Sequence, residues 1–166
     1  GSNTRDYKAD KGDSLYRRSM YTIWKRAAPP ASMDIFNAPS RETCTVRRER
    51  TNTPLQALVT LNDPQFVEAA RHLTQRVLRE GGADDRQKLD YLSERLVARP
   101  LSDEERSVAQ ASLASLLDYY RQHPADAKAV TTVGDSQADA TMDVATLAGW
   151  TMLANELMNL DEVLYK

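Results

Sequence analysis

Residues 41–52, RETCTVRRERTN, carry the densest set of side chains able to grip a ligand, with four arginines and two glutamates in twelve positions. A guanidinium is a planar fork of donors that meets a carboxylate, sulfate or phosphate in bidentate fashion. Arg41, Arg47, Arg48 and Arg50, with Glu49 and Asn52 among them, are the candidate ligand-binding residues. Their donors outnumber what Glu42 and Glu49 can accept, so the remainder could hold an anionic group such as that of an acidic polysaccharide. Asp34, Glu42 and Glu49 are then the nearby acids. The competing reading is architectural: a guanidinium can donate to several backbone carbonyls at once, and an irregular segment has many carbonyls to satisfy.

Elsewhere the sequence is poor in catalytic patterns, and no catalytic residue is assigned. His72 stands next to the inward Leu73 without a serine or cysteine motif beside it, and reads as a surface or boundary histidine. His123 precedes Pro124 at a helix end, where a cation suits the helix dipole better than a metal does. Cys44 could become a nucleophile if Arg47 and Arg48 lowered its pKa, but a lone cysteine reads first as a small buried apolar residue. With one cysteine and two histidines there is no internal disulfide, no CxxC, no CxxCH haem attachment and too few ligands for structural zinc. No metal or cofactor is expected in this part of the protein. Asp84-Asp85 and Asp103-Glu104-Glu105 read as charges at helix N-termini rather than calcium ligands.

The chain has 166 residues, 41% of them hydrophobic, enough for one core. The formal net charge of −2 gives no reason to expect nucleic acid as a partner. Its distribution is uneven: residues 1–53 hold 11 Lys/Arg and 6 Asp/Glu, and the remainder 11 and 18. That step could draw an anionic ligand to the first part or let the two parts attract one another. No apolar run approaches the roughly 20 residues that span a bilayer. The opening Gly-Ser reads as a cloning remnant, with residues 1–13 a flexible lead-in and residues 14–166 a helical domain cut from the C-terminal end of a larger protein.

The elements that must position these side chains are helical. Leu15, Tyr16, Met20, Ile23 and Trp24 recur at helical spacing, which predicts an amphipathic arm over Leu15–Lys25. The same residue types would also suit a strand. Pro29 and Pro30 end it, and residues 27–52 follow as a long ordered loop containing the arginines. Thr53-Pro54-Leu55-Gln56 is a capping box opening a short helix over Leu55–Leu61. Asp63-Pro64 opens a longer one with Phe66, Val67, Ala70, Leu73, Val77 and Leu78 inward, stopped by Gly81-Gly82. Leu89, Leu92, Leu96 and Val97 mark the next. Ser102 to Glu105 caps a helix with Val108, Leu113, Leu116, Leu117 and Tyr120 inward. Residues 124–140 are weakly patterned with a turn at Gly134, and Met142–Leu157 is a final strong helix around Trp150. The expected class is all-α: an irregular bundle of four to five helices with an N-terminal helical arm and an Arg-rich loop. No Gly-rich phosphate loop, strand–helix alternation or internal repeat is present.

The block SLYRRSMYTIWKRAAPPASMDIFNAPSRETCTVRRERTNTPLQALVTLNDPQFVEAAR resembles the domain of unknown function 1553. The later segments ARPLSDEE and WTMLANELMNLDEVLYK resemble that family as well. The resemblance implies a C-terminal domain of a large planctomycete-type secreted protein, whose other parts include a cytochrome-c-like region with CxxCH and sometimes a lectin-like insert. It implies an extracytoplasmic, periplasmic or secreted setting and a link to redox chemistry or polysaccharide utilisation, and supplies no catalytic residue. The expected function is a non-catalytic interaction or structural module whose partners are the other domains of the parent protein. The alternative is binding of an anionic glycan, or part of a polysaccharide-processing or redox enzyme completed by other domains.

Overall fold

In the computed structural model, each longer helix begins where a short polar side chain can take a first-turn amide that has no partner within the helix. Asp63 accepts from the Gln65 amide at 2.8 Å and opens α3, Pro64–Glu80. Asp84 does the same for Gln87 at 2.8 Å and opens α4, Asp85–Leu96. Ser102 accepts from Glu105 at 3.2 Å while the Glu105 carboxylate takes the Ser102 amide at 2.8 Å, the reciprocal box that opens α5, Asp103–Gln122. Asp143 accepts from Thr146 at 2.8 Å and opens α7, Val144–Met158. Between the last two lies α6, Pro124–Thr131, and α8, Asp161–Leu164, follows α7. Earlier in the chain stand α1, Ala31–Ile35, and α2, Pro54–Asn62. The structure describes residues 7, 8, 10–25, 28–47, 51 and 53–164. Among them there are eight α-helices, two 3-10 turns and no strand, an all-α fold as the patterning predicts.

The chain divides into two compact units, Gly1–Val59 and Thr60–Lys166, where the sequence reading draws a single domain. No charged residue falls between positions 54 and 59, so the charge step of the sequence coincides with this division.

In the first unit, polar side chains meet the backbone where regular structure is sparse. The buried Gln56 completes the capping box: its Oε1 accepts from the Thr53 amide at 3.0 Å and its backbone N–H donates to Thr53 Oγ1 at 3.3 Å, while its Nε2 donates to the Ile35 carbonyl at 2.8 Å and to Thr51 Oγ1 at 2.9 Å. Asn37 adds a bond to Thr51 Oγ1 at 2.7 Å. These contacts tie the end of α1 to the start of α2. The amphipathic helix expected over Leu15–Lys25 does not form. One 3-10 turn, Ser19–Tyr21, stands there instead, preceded by another at Gly12–Ser14, and an isolated bridge joins Lys25 and Ala28. Tyr21, Thr22, Ile23 and Trp24 lose side-chain freedom in a helix, and Tyr16, Met20, Tyr21 and Ile23 stay exposed, so no burial offsets that loss. The stretch read as an unbroken loop contains α1.

In the second unit α7 is the central helix, packed against α3, α5 and α6. It is apolar on most of its circumference, as a helix surrounded by others must be. Trp150, Leu153 and Ala154 meet Ala70 and Val77 of α3, Leu89 and Leu92 of α4, and Ala109 and Leu113 of α5 in one buried cluster. A second cluster joins Tyr120, Ala127 and Ala148. Gly149 sits where a Cβ would lie 2.9 Å from Leu117 Cδ2, so the bare backbone lets α5 and α7 approach closely. Two details differ from the helical pattern. Val108 is exposed and Ala109 takes the inward position at the start of α5, while Leu113 and Tyr120 are buried as the pattern predicts. The weakly patterned stretch after His123 forms α6, whose Pro124 occupies the first helical position and whose Ala127 and Thr131 are buried.

Candidate functional site

The inward stripe of α3 carries an ion pair. Glu68 is 2% exposed and Arg71 is 0% exposed, with Glu68 Oε1 and Arg71 Nη2 3.6 Å apart on adjacent turns. Both reach the turn at residues 133–136. Arg71 Nη2 donates to the carbonyls of Val133 at 3.2 Å and Ser136 at 2.8 Å, and to Ser136 Oγ at 3.0 Å. Glu68 accepts the amides of Asp135 at 3.2 Å and Ser136 at 2.7 Å, and the Ser136 hydroxyl. The turn can approach this carboxylate because Gly134 has φ of +97°, and a Cβ there would fall 2.4 Å from Glu68 Cδ.

His72 Nε2 lies 2.7 Å from Ser136 Oγ, which puts a serine, a histidine and a glutamate side by side. Their hydrogen bonding decides what the group can do. A hydroxyl has one proton and two lone pairs. The proton goes to Glu68, which as a carboxylate only accepts, and one lone pair receives Arg71 Nη2. His72 therefore donates its Nε2–H to the other lone pair. A serine so saturated has no lone pair to present as a nucleophile, and His72 holds its proton on the nitrogen that a general base would need empty. The cluster is a clamp that fixes one turn to α3. Arg71 Nε and Nη1 are buried and make no hydrogen bond with the described residues.

The arginine-rich segment belongs to the first unit. Arg41 adopts φ of +63°, donates to the carbonyls of Ser19 at 3.3 Å and Thr22 at 3.5 Å, and lies over the Trp24 ring at 5.5 Å. A shallow cavity of about 560 Å³ runs beside it, lined by Thr22, Ile23, Trp24, Ser40, Arg41 and Glu42. Arg47 is exposed. Arg48, Glu49, Arg50 and Asn52 lie outside the described residues. Cys44, expected to be buried, is exposed, because the segment around it packs no apolar layer that could cover a thiol. His123 is at the junction of α5 and α6, its Nδ1 2.8 Å from the Tyr119 carbonyl and its ring stacked on Tyr119 at 4.2 Å. That is the helix-end position its sequence context implies. Among the described residues no three metal-ligating side chains gather, and no helix is long and apolar enough to cross a membrane.

Glu68, Arg71 and Ser136 are absent from the sequence reading. Two of them leave a local signal: Val67, Ala70, Thr74 and Val77 define the buried stripe of α3, and Arg71 lies four residues from Val67 on that same face. A charge in the middle of a buried stripe must have a partner. Ser136 leaves none, since its contact with Glu68 spans 68 positions.

The fold and the clamp define a helical domain whose one buried charged cluster among the described residues is spent on its own architecture. The chain belongs to the family described as a protein of unknown function (DUF1553), whose family model, PSD1, matches residues 2–113. Glu68, Arg71 and the arginine-rich segment fall inside the matched span, and the turn at residues 133–136 that Glu68 and Arg71 hold lies beyond it. Neither a search of curated proteins nor one of solved structures returns a match to the chain.

Proposed function

We propose that this chain is a non-catalytic interaction module, without a cofactor of its own, in a larger extracytoplasmic protein, and that it docks onto neighbouring domains of that protein. The observation that carries the reading is the surface of the first unit. Tyr16, Met20, Tyr21 and Ile23 are 57–63% exposed within eight residues, and no helix or sheet among the described residues of the unit covers them. Large apolar side chains exposed together mark a surface that another protein covers. The unit carries a formal charge of +5, from 11 basic and 6 acidic residues, so the matching face is apolar with an acidic rim. The extracytoplasmic setting and the multidomain parent rest on the family resemblance of the first block, and the saturated Ser136 hydroxyl supports a role without catalysis.

With its partner absent, such a surface meets a second copy of itself. Sedimentation velocity on the 166-residue chain should show concentration-dependent self-association that Met20→Ser/Ile23→Ser abolishes. A single monomeric species at every concentration would count against the reading.

A second reading has one observation in its favour: Arg47 is exposed and makes no hydrogen bond or ion pair with the described residues. A cation standing clear of the fold could hold an acidic glycan. Arg41 is less suited to that role, because its donors already serve two carbonyls and its face covers Trp24.

A further inference from the structure

A cleft of about 740 Å³ opens in the second unit between the end of α5, α6 and the start of α7. Its size is that of a small-molecule site, for which the usual range is roughly 300–1,000 Å³. Buried Tyr120, Ala127 and Leu147, with Met142 beside them, give it an apolar floor, and exposed Arg121 and Lys128 stand in its lining. One wall is held in place by the Glu68–Arg71 clamp, because Gly134 and Ser136 belong to both.

The charges of the lining select the ligand. Asp139 is committed to Thr141, through its hydroxyl and its amide, and to Arg79. Asp143 caps α7 and takes both the amide and the hydroxyl of Thr146. The side chains of Arg121 and Lys128, by contrast, make no hydrogen bond or ion pair with the described residues, although the field of Arg121 reaches Asp143. Val144 and Ala145, in the first turn of α7, line the same cleft, and that helix end carries partial positive charge. Donors over an apolar floor fit an anion with an apolar body. Three carboxylates in the lining, Asp135 being the third, oppose a second negative charge on the ligand and so disfavour phosphate esters and polyanions. We propose that this cleft binds a singly charged organic carboxylate with an aromatic or short aliphatic body. The carboxylate meets Arg121 and Lys128, and the body lies on Tyr120, Ala127 and Leu147.

The test is calorimetric titration of the full 166-residue chain with 1-naphthoate and with its neutral counterpart 1-naphthalenemethanol. The acid should bind, weaken as salt is added, and exceed the alcohol by about tenfold, a difference typical of a charge-assisted contact. Arg121→Gln/Lys128→Gln should remove that advantage and leave the affinity for the alcohol unchanged. Ala127→Trp, which fills the floor, should abolish binding of both; should it fail to fold, the double variant alone decides. No binding of naphthoate at millimolar concentration, equal affinity for acid and alcohol, or an unaffected double variant would each overturn the proposal.

Discussion

Arg71 shows what a buried charge costs and what it secures. Its guanidinium is fully removed from solvent; Nη2 meets Glu68 one helical turn away and two carbonyls and a hydroxyl of the distant turn at residues 133–136, while Nε and Nη1 make no hydrogen bond with the described residues. Replacing a whole buried ion pair by apolar groups can be nearly neutral, whereas removing one partner strands the other. Arg71→Met should therefore destabilise the protein by about 3–5 kcal/mol, and Glu68→Leu by a similar amount. The double variant Glu68→Leu/Arg71→Met should lose clearly less than the two single losses together, since the stranded charge is gone. Denaturant unfolding of the three variants measures this, and simple additivity would mean that the two side chains do not act as a pair. At the same scale, Arg41 shows why an arginine cluster in sequence is ambiguous. Its type and setting indicated a gripping residue, and only the carbonyls of Ser19 and Thr22 reveal what it grips.

At the scale of elements, Arg99 joins the start of α5 to α8 through Glu105, at 2.8 Å to each oxygen, and Glu162, at 2.8 and 3.1 Å. The Arg99 bonds and the Ser102 amide hold the Glu105 carboxyl down to about 2, and the Thr141 hydroxyl and amide, with Arg79, hold Asp139 down to about 2. A carboxylate held below its unfolded value stabilises the fold above that value and loses the contribution as pH falls towards the folded one. Thermal stability should thus decline between about pH 5 and pH 2, with added salt shrinking the part due to the exposed Glu105 more than that due to the half-buried Asp139. Glu105→Gln should flatten the decline, and a profile superimposable on that of the original chain would refute the assignment. The helices themselves were legible where their causes are local. Asp63, Asp84 and Ser102 each sit within three residues of the amide they cap, so type and spacing suffice. The arm over Leu15–Lys25 was misread because an apolar stripe becomes a helix only when something buries it, and a pattern does not name its partner. The clamp was legible only in half, at the buried face of α3, because its other half is brought to it by the fold.

The whole molecule combines two units of unlike character. The second, Thr60–Lys166, is a helical bundle with its own core and carries a formal charge of −7, from 11 basic and 18 acidic residues. The first is short in helix, basic, and held by side-chain bonds to backbone, and it displays Tyr16, Met20, Tyr21 and Ile23 to solvent. The exposed large apolar side chains of the second unit, Val108, Tyr119, Val144 and Leu160, are spread along its chain, whereas those four of the first fall within eight residues. The most direct measurement is calorimetric binding of the 166-residue chain to the neighbouring domains of the larger protein proposed above, alongside the variant Tyr21→Ser/Ile23→Ser. The account predicts a micromolar interaction that the variant weakens by about tenfold or more, as truncation of buried apolar anchors does. An absence of binding, or binding that the variant leaves unchanged, would contradict it.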